Sequence, residues 1–369
     1  MRGINPAYLD KLDEGQKAFI LTGYGKFFAD NFLFMEAEHG YVIGPTGSGK
    51  TNKLYNLVNW LKHTEVILWI SASKDNDIIP LFFMGMPVNI IIPTHSSMEI
   101  YDGRDIFTNV SYSPVSTPSD IFWAIKRDHI NILEVRNAFW EESAVLDWMI
   151  LFFKELSDGL RRGNIPRIRP DIEHVGKSKI TVFLDESQWL IPGLKVTNDP
   201  KRVKAREVIA EAATQIRTYG WRLVISSQGF TNVTPIIREN MPGVFLCVNA
   251  QVDDVPSLHK HCNPPLITGW KPTSRYKRSE YKFVDRNGNA SPNDRPLPVP
   301  WYPKSEEDRK KADKMRIKYG QTYHDRPPES AEPETECFPE LGRFSALVIP
   351  PEKQDTPTVS RFTQVVEDG

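Results

Sequence analysis

Gly44-Pro45-Thr46-Gly47-Ser48-Gly49-Lys50-Thr51 satisfies the pattern G-x-x-x-x-G-K-[ST] in full, and these residue types suit one kind of chemistry. Gly44, Gly47 and Gly49 let the backbone curl so that successive N–H groups face one concavity, and a helix starting near Lys50 adds its positive dipole end. A polyphosphate fits that concavity. Lys50 is placed to lie against β- and γ-phosphate oxygens, and the Thr51 hydroxyl to be one ligand of a bridging Mg²⁺. By average residue frequencies the four fixed positions coincide by chance in about one chain of this length in a hundred.

Gripping ATP and Mg²⁺ is half of a hydrolytic site; the other half is a metal partner and a base on a neighbouring strand. The run Ile180-Thr181-Val182-Phe183-Leu184 ends in Asp185-Glu186, which supplies both. Asp185 is expected to hold the metal, directly or through water, and Glu186 to polarise the attacking water. A third apolar run, Trp221 to Ser227, ends in Gln228. That amide is either a sensor of the γ-phosphate or a loop glutamine bonded to backbone.

These residues need a frame that brings three strand ends together. Tyr41 to Ile43 reads as the strand before the phosphate loop, and Asn52 to Lys62 as the helix after it, with Leu54, Leu57, Val58 and Leu61 at helical spacing. Further strands are expected at Val66–Ile70, Val88–Ile92, Ile130–Val135, Leu223–Ser226 and Gly243–Val248. Helices are expected through Glu141–Glu155, whose aromatic stripe reads as core, and over Arg202–Tyr219. The alternation predicts an α/β fold with a mainly parallel sheet and helices on both faces. Its limits are set at residues 37–285, after a lead-in over 1–36 and before a Pro-rich, charged extension over 286–369. In that extension residues 291 to 303 hold five prolines, Lys304 to Tyr319 reads as a charged helix, and the remainder as irregular chain.

Composition removes several classes. A net charge of −1 excludes a uniformly basic nucleic-acid coat, so any such binding must be local. Three cysteines, odd in number and unevenly spaced, argue against a disulfide framework and for a reducing, cytoplasmic setting. The apolar stretch Ile78 to Pro93 is interrupted by Pro80, Gly85, Pro87 and Asn89, which argues against a membrane span. His259-Lys260-His261-Cys262 lacks a fourth ligand at zinc spacing and reads as a helix end.

From Glu211 to Val248 the chain becomes more specific. Ile216-Arg217-Thr218-Tyr219-Gly220-Trp221-Arg222-Leu223-Val224-Ile225-Ser226-Ser227-Gln228, followed by Pro235-Ile236-Ile237-Arg238-Glu239-Asn240-Met241-Pro242, resembles the FtsK–HerA superfamily of DNA-pumping ATPases. There a strand ends in Ser/Thr-Gln and is followed by a helix with an Ile-[Lys/Arg]-x-Asn-x-Pro pattern. The likeness covers roughly residues 37 to 265. The resemblance implies a RecA-like P-loop NTPase core assembled head to tail as a hexameric ring, with ATP at each interface and an arginine of one subunit on its neighbour's γ-phosphate. Arg217 is the favoured candidate and Arg238 the second; a surface arginine paired to a nearby glutamate is the alternative for each. The short lead-in and the lack of a winged-helix tail point to a compact, packaging-ATPase-like member from a virus or mobile element, placed in the host cytoplasm if viral.

A DNA motor needs Lys and Arg on loops facing the duplex. Arg161, Arg162, Arg167 and Arg169 form one candidate cluster, and Lys271, Arg275, Lys277 and Arg278 another; solvated surface charge is the alternative for both. The expected partners are double-stranded DNA, further copies of the chain, and a capsid, portal or membrane protein docked through the C-terminal tail. A P-loop ATPase acting on protein cargo, or a low-turnover nucleotide switch, are the competing functions. Glu186 beside Asp185 speaks against the switch.

Overall fold

The computed structural model describes residues 6–35, 37–71, 77–139, 141–165, 180–194, 197–241, 243–247, 280–285 and 297–321. Helices α1 (Pro6–Lys11), α2 (Glu14–Ile20) and α3 (Gly23–Phe28) lead into β1 (Gly40–Ile43), and α4 (Lys50–Leu61) follows the phosphate loop. The chain continues through β2 (Val66–Ser71), β3 (Val88–Pro93), β4 (Ser96–Asp102), β5 (Asp105–Ile106), β6 (Val110–Val115) and the single turn α5 (Ile121–Ala124). After β7 (Ile130–Glu134) come α6 (Glu142–Arg162), β8 (Ile180–Leu184), α7 (Pro200–Ile216), β9 (Trp221–Ser227), α8 (Pro235–Glu239) and β10 (Gly243–Cys247). The last described elements are β11 (Glu280–Val284), β12 (Leu297–Pro298), α9 (Glu306–Lys314) and β13 (Met315–Gln321).

Ten strands form one sheet in the order β12-β11-β10-β1-β9-β8-β2-β7-β3-β6. All pairings from β10 to β6 are parallel, and β11 and β12 add an antiparallel edge. The expected RecA-like arrangement is therefore present, with β9 inserted between the strand that enters the phosphate loop and the strand that ends in Asp185. The central strands are buried on both faces, which is why they read as mostly apolar runs, with buried polar exceptions such as Thr181 in β8 and Arg222 in β9. One core lies under α6 and α7; the other lies under α4, the N-terminal helices and the segment around Tyr302.

Two boundaries differ from the sequence reading. Helix α6 runs on through Leu160–Arg162 and stops at Gly163, whose φ of 73° makes a left-handed cap, so Arg161 and Arg162 are helical rather than in a loop. The charged helix predicted over 304–319 ends at Lys314. Beyond it Met315, Ile317 and Tyr319 alternate with Arg316 and Lys318, a period of two that suits a strand, and β13 pairs antiparallel with β4 in a small second sheet. The arginines at 167 and 169, the basic cluster at 271–278, the cluster at 259–262 and the chain from 322 onward lie outside the described residues. Among the described residues no helix is long and apolar enough to cross a membrane.

Candidate functional site

The phosphate loop leaves the carboxyl end of β1, and its shape demands its glycines. A Cβ on Gly44 would sit 2.4 Å from Ser48 Oγ and 2.9 Å from Cys247 Cβ. Gly47 and Gly49 have φ of 78° and 90°, a region that costs other residues energy. The Gly44 N–H donates to Ser227 O at 3.2 Å, fastening the loop to the end of β9. Burial pushes the Cys247 thiol up to about 12, so it backs the loop as an inert wall.

Lys50 opens α4, is buried, and donates from Nζ to Pro45 O at 3.1 Å. Thr51 Oγ1 donates to Asp185 Oδ2 at 2.6 Å, joining two segments 134 residues apart. An alcohol and a carboxylate so placed are hard oxygen donors of the kind Mg²⁺ takes, with phosphate oxygens and water free to complete the shell. Asp185 Oδ1 accepts from the Glu186 N–H at 3.0 Å and from the Ser226 hydroxyl. Glu186 itself sits at φ 49°, which turns its side chain out of the strand direction at the sheet's carboxyl edge. Gln228 is the first residue beyond β9, exposed and on the same edge.

The structure thus brings Gly44–Thr51, Asp185, Glu186 and Gln228 to one edge of three adjacent strands, where open α/β sheets bind ligands. It does not bring Arg217 there. Arg217 precedes the amino end of β9, parallel to β1, at the opposite edge, and it faces buried Glu38 at 3.5 Å while 43% exposed. Arg238 lies in α8, its guanidinium 4.6 Å above the Phe230 ring, and burial pulls its pKa below the usual value. Arg161 pairs with Asp158 at 2.8 Å one turn beyond Ser157, which hydrogen-bonds Gln215 near the end of α7; this end of α6 is also remote from the phosphate loop.

Sequence reasoning missed Ser226 and Tyr41. Tyr41 shares a hydrogen bond with Ser227 Oγ and reaches Gly229 O at 3.1 Å, steadying the turn that carries Gln228. The available signal was two serines directly after the apolar stretch Leu223-Val224-Ile225, but their partners depend on register, which spacing alone does not fix.

A glycine cradle at a helix N-terminus, a Thr–Asp bridge beneath it and an inserted strand ending in a polar amide define a P-loop NTPase core. Its motif residues, Ile216 to Gln228 and Pro235 to Met241, are the ones that resemble the FtsK–HerA superfamily. No family model matches the chain, and no curated protein matches it. Among solved structures it is similar to the genome packaging NTPase of Sulfolobus turreted icosahedral virus 2 in complex with ATP-gammaS, at 11% identity and a TM-score of 0.40, over 69% of this chain and 96% of that one. It is also similar to ATPases 2 and 3 of EssC from Geobacillus thermodenitrificans, at 10% identity and a TM-score of 0.39, over 75% of this chain and 43% of that one. A third likeness is to the pCW3 conjugation coupling protein TcpA, at 12% identity and a TM-score of 0.34, over 75% and 65%.

Proposed function

We propose that this chain is an ATPase that hydrolyses Mg-ATP and uses the cycle to move double-stranded DNA. The observation that carries hydrolysis is the Thr51–Asp185 bridge with Glu186 turned out beside it. The loop N–H groups and Lys50 hold the β- and γ-phosphates. Thr51 and Asp185 would hold Mg²⁺, which when bound would supply neutralisation of the charge on the phosphate oxygens. Glu186 orients a water and accepts its proton, and Gln228 at the end of β9 contacts the γ-phosphate. DNA as cargo is supported by the superfamily-like sequence segment Gln228 to Pro242, and a ring of like subunits with it. Arg217, at the edge opposite its own phosphate loop, is suited to act only on a neighbour.

The test is ATP hydrolysis with and without long duplex DNA, beside Lys50→Ala and Glu186→Gln. Stimulation by DNA that fades with added salt is expected, with both variants inactive and Glu186→Gln still binding ATP. Equal rates with and without DNA would remove the motor, leaving an ATPase; a Glu186→Gln variant that hydrolyses normally would remove Glu186 as base.

A further inference from the structure

The hydroxyl that neither the phosphate loop nor the acidic pair accounts for is that of Ser226. It lies on β9, fully buried, and the parallel register that sets Leu184 against Ile225 sets Asp185 against Ser226. Its Oγ donates to Asp185 Oδ1 and accepts from the Glu186 N–H at 3.0 Å. Its own carbonyl accepts from the Ser187 hydroxyl at 2.8 Å, so the strand and the turn after β8 are joined on both sides of Glu186. The Asp185 carboxylate is consequently held at both oxygens, Oδ1 by Ser226 and the Glu186 N–H, Oδ2 by Thr51.

From this geometry we infer that Ser226 is the positioning residue for both carboxylates of the site. Toward Asp185, it fixes the rotation of the carboxylate so that Oδ2 points at the Thr51 hydroxyl and at the place a divalent cation takes. Toward Glu186, it receives the N–H that the left-handed bend turns inward. A non-glycine residue at φ 49° persists only where its surroundings hold it there, and this hydrogen bond is part of that hold. Because Ser226 lies two residues before Gln228, the same strand that meets the γ-phosphate also aims the metal ligand and the base. The inference rests on the ATPase reading, yet its first readout does not need turnover.

That readout is the gain in affinity for a fluorescent non-hydrolysable ATP analogue as Mg²⁺ is titrated into the full chain. Ser226→Ala is expected to raise the Mg²⁺ concentration for half the gain about 10-fold while leaving metal-free nucleotide affinity unchanged, as loss of a ligand-orienting partner does. At saturating Mg²⁺ and ATP its kcat is expected to fall about 10- to 100-fold with KM for ATP little altered. Ser226→Cys, close in volume with a weaker donor, is expected to fall between the two. Thermal melts of all three identify a folding defect. An unchanged Mg²⁺ dependence, or equal losses of metal-free and metal-dependent binding, overturns the inference. A wild-type chain that binds Mg²⁺ and nucleotide without hydrolysis sinks the ATPase reading instead, and the metal titration still decides Ser226.

Discussion

His39 shows how closely a single side chain can be bound to the sheet that carries the site. Wholly enclosed just before β1, it donates from Nε2 to Ala213 O at 2.7 Å and accepts at Nδ1 from the Leu223 N–H at 3.0 Å, a pairing that only the neutral ring can make. Burial above all pushes its pKa down to about 4. The unfolded ring titrates near 6.5, so between those values the unfolded chain binds the extra proton and stability is lost as pH falls. The loss is on the order of 3 kcal/mol across that window. Urea midpoints from pH 7 to 4.5 should fall more steeply for the wild type than for His39→Gln; parallel slopes would contradict it. His63, also held near 4 mainly by burial, acts in the same direction in both proteins, so the difference isolates His39. At this scale the sequence was legible where chemistry fixes spacing, as in Gly44–Thr51, and where a charged pair ends an apolar run, as in Asp185-Glu186. Ser226 was not legible, because its meaning comes from standing beside Asp185 in a register set by the whole sheet.

Among the elements, α4 has a second attachment besides the loop it caps. Asn52, one residue after Thr51, donates from Nδ2 to Pro300 O at 2.9 Å and accepts at Oδ1 from the Tyr302 N–H at 3.1 Å. Asn56 adds a hydrogen bond of 3.4 Å to the Tyr302 hydroxyl. The segment after β12 is thereby strapped along the helix that begins the phosphate site, although 248 residues separate Asn52 from Pro300. Asn52→Ala removes two backbone partners from a buried position and should cost about 1–3 kcal/mol. Limited proteolysis should then cut first within 297–304, and cutting at an unchanged rate would show that the strap is held elsewhere. Strands β2, β3, β7, β8, β9 and β10 were readable because burial on both faces leaves mostly apolar runs, interrupted by single buried polar residues such as Asn89, Asn131, Thr181 and Arg222. Strand β13 was not: its partner β4 is more than 200 residues earlier, and its charged alternate positions resemble the solvent face of a helix. The end of α6 was misplaced for a local reason, since Gly163 ends the helix while Gly159, four residues earlier, does not.

For the whole molecule, the two edges of the sheet carry different charges of responsibility. The carboxyl edge holds the phosphate loop and the acidic pair; the amino edge presents half-exposed Arg217 beside Glu38. In the proposed ring, head-to-tail contact sets one subunit's Arg217 edge toward its neighbour's phosphate loop, and repetition of that contact closes the circle. An arginine supplied in this way should be separable from the loop it serves. Arg217→Ala keeps its phosphate loop and lacks the arginine; Lys50→Ala keeps the arginine and lacks the loop. Each alone should be inactive. Mixed in equal amounts and reassembled, they should recover roughly a quarter of wild-type hydrolysis, because half of the subunits have a working loop and half of those have a neighbour with Arg217. Action within one subunit predicts no recovery. Glu38→Gln separates the remaining possibility, that Arg217 only holds Glu38: a structural pair would make Glu38→Gln as damaging as Arg217→Ala, and neither would complement Lys50→Ala. The same mixing with Arg238→Ala decides between the two arginines, since only the one that crosses the interface restores activity.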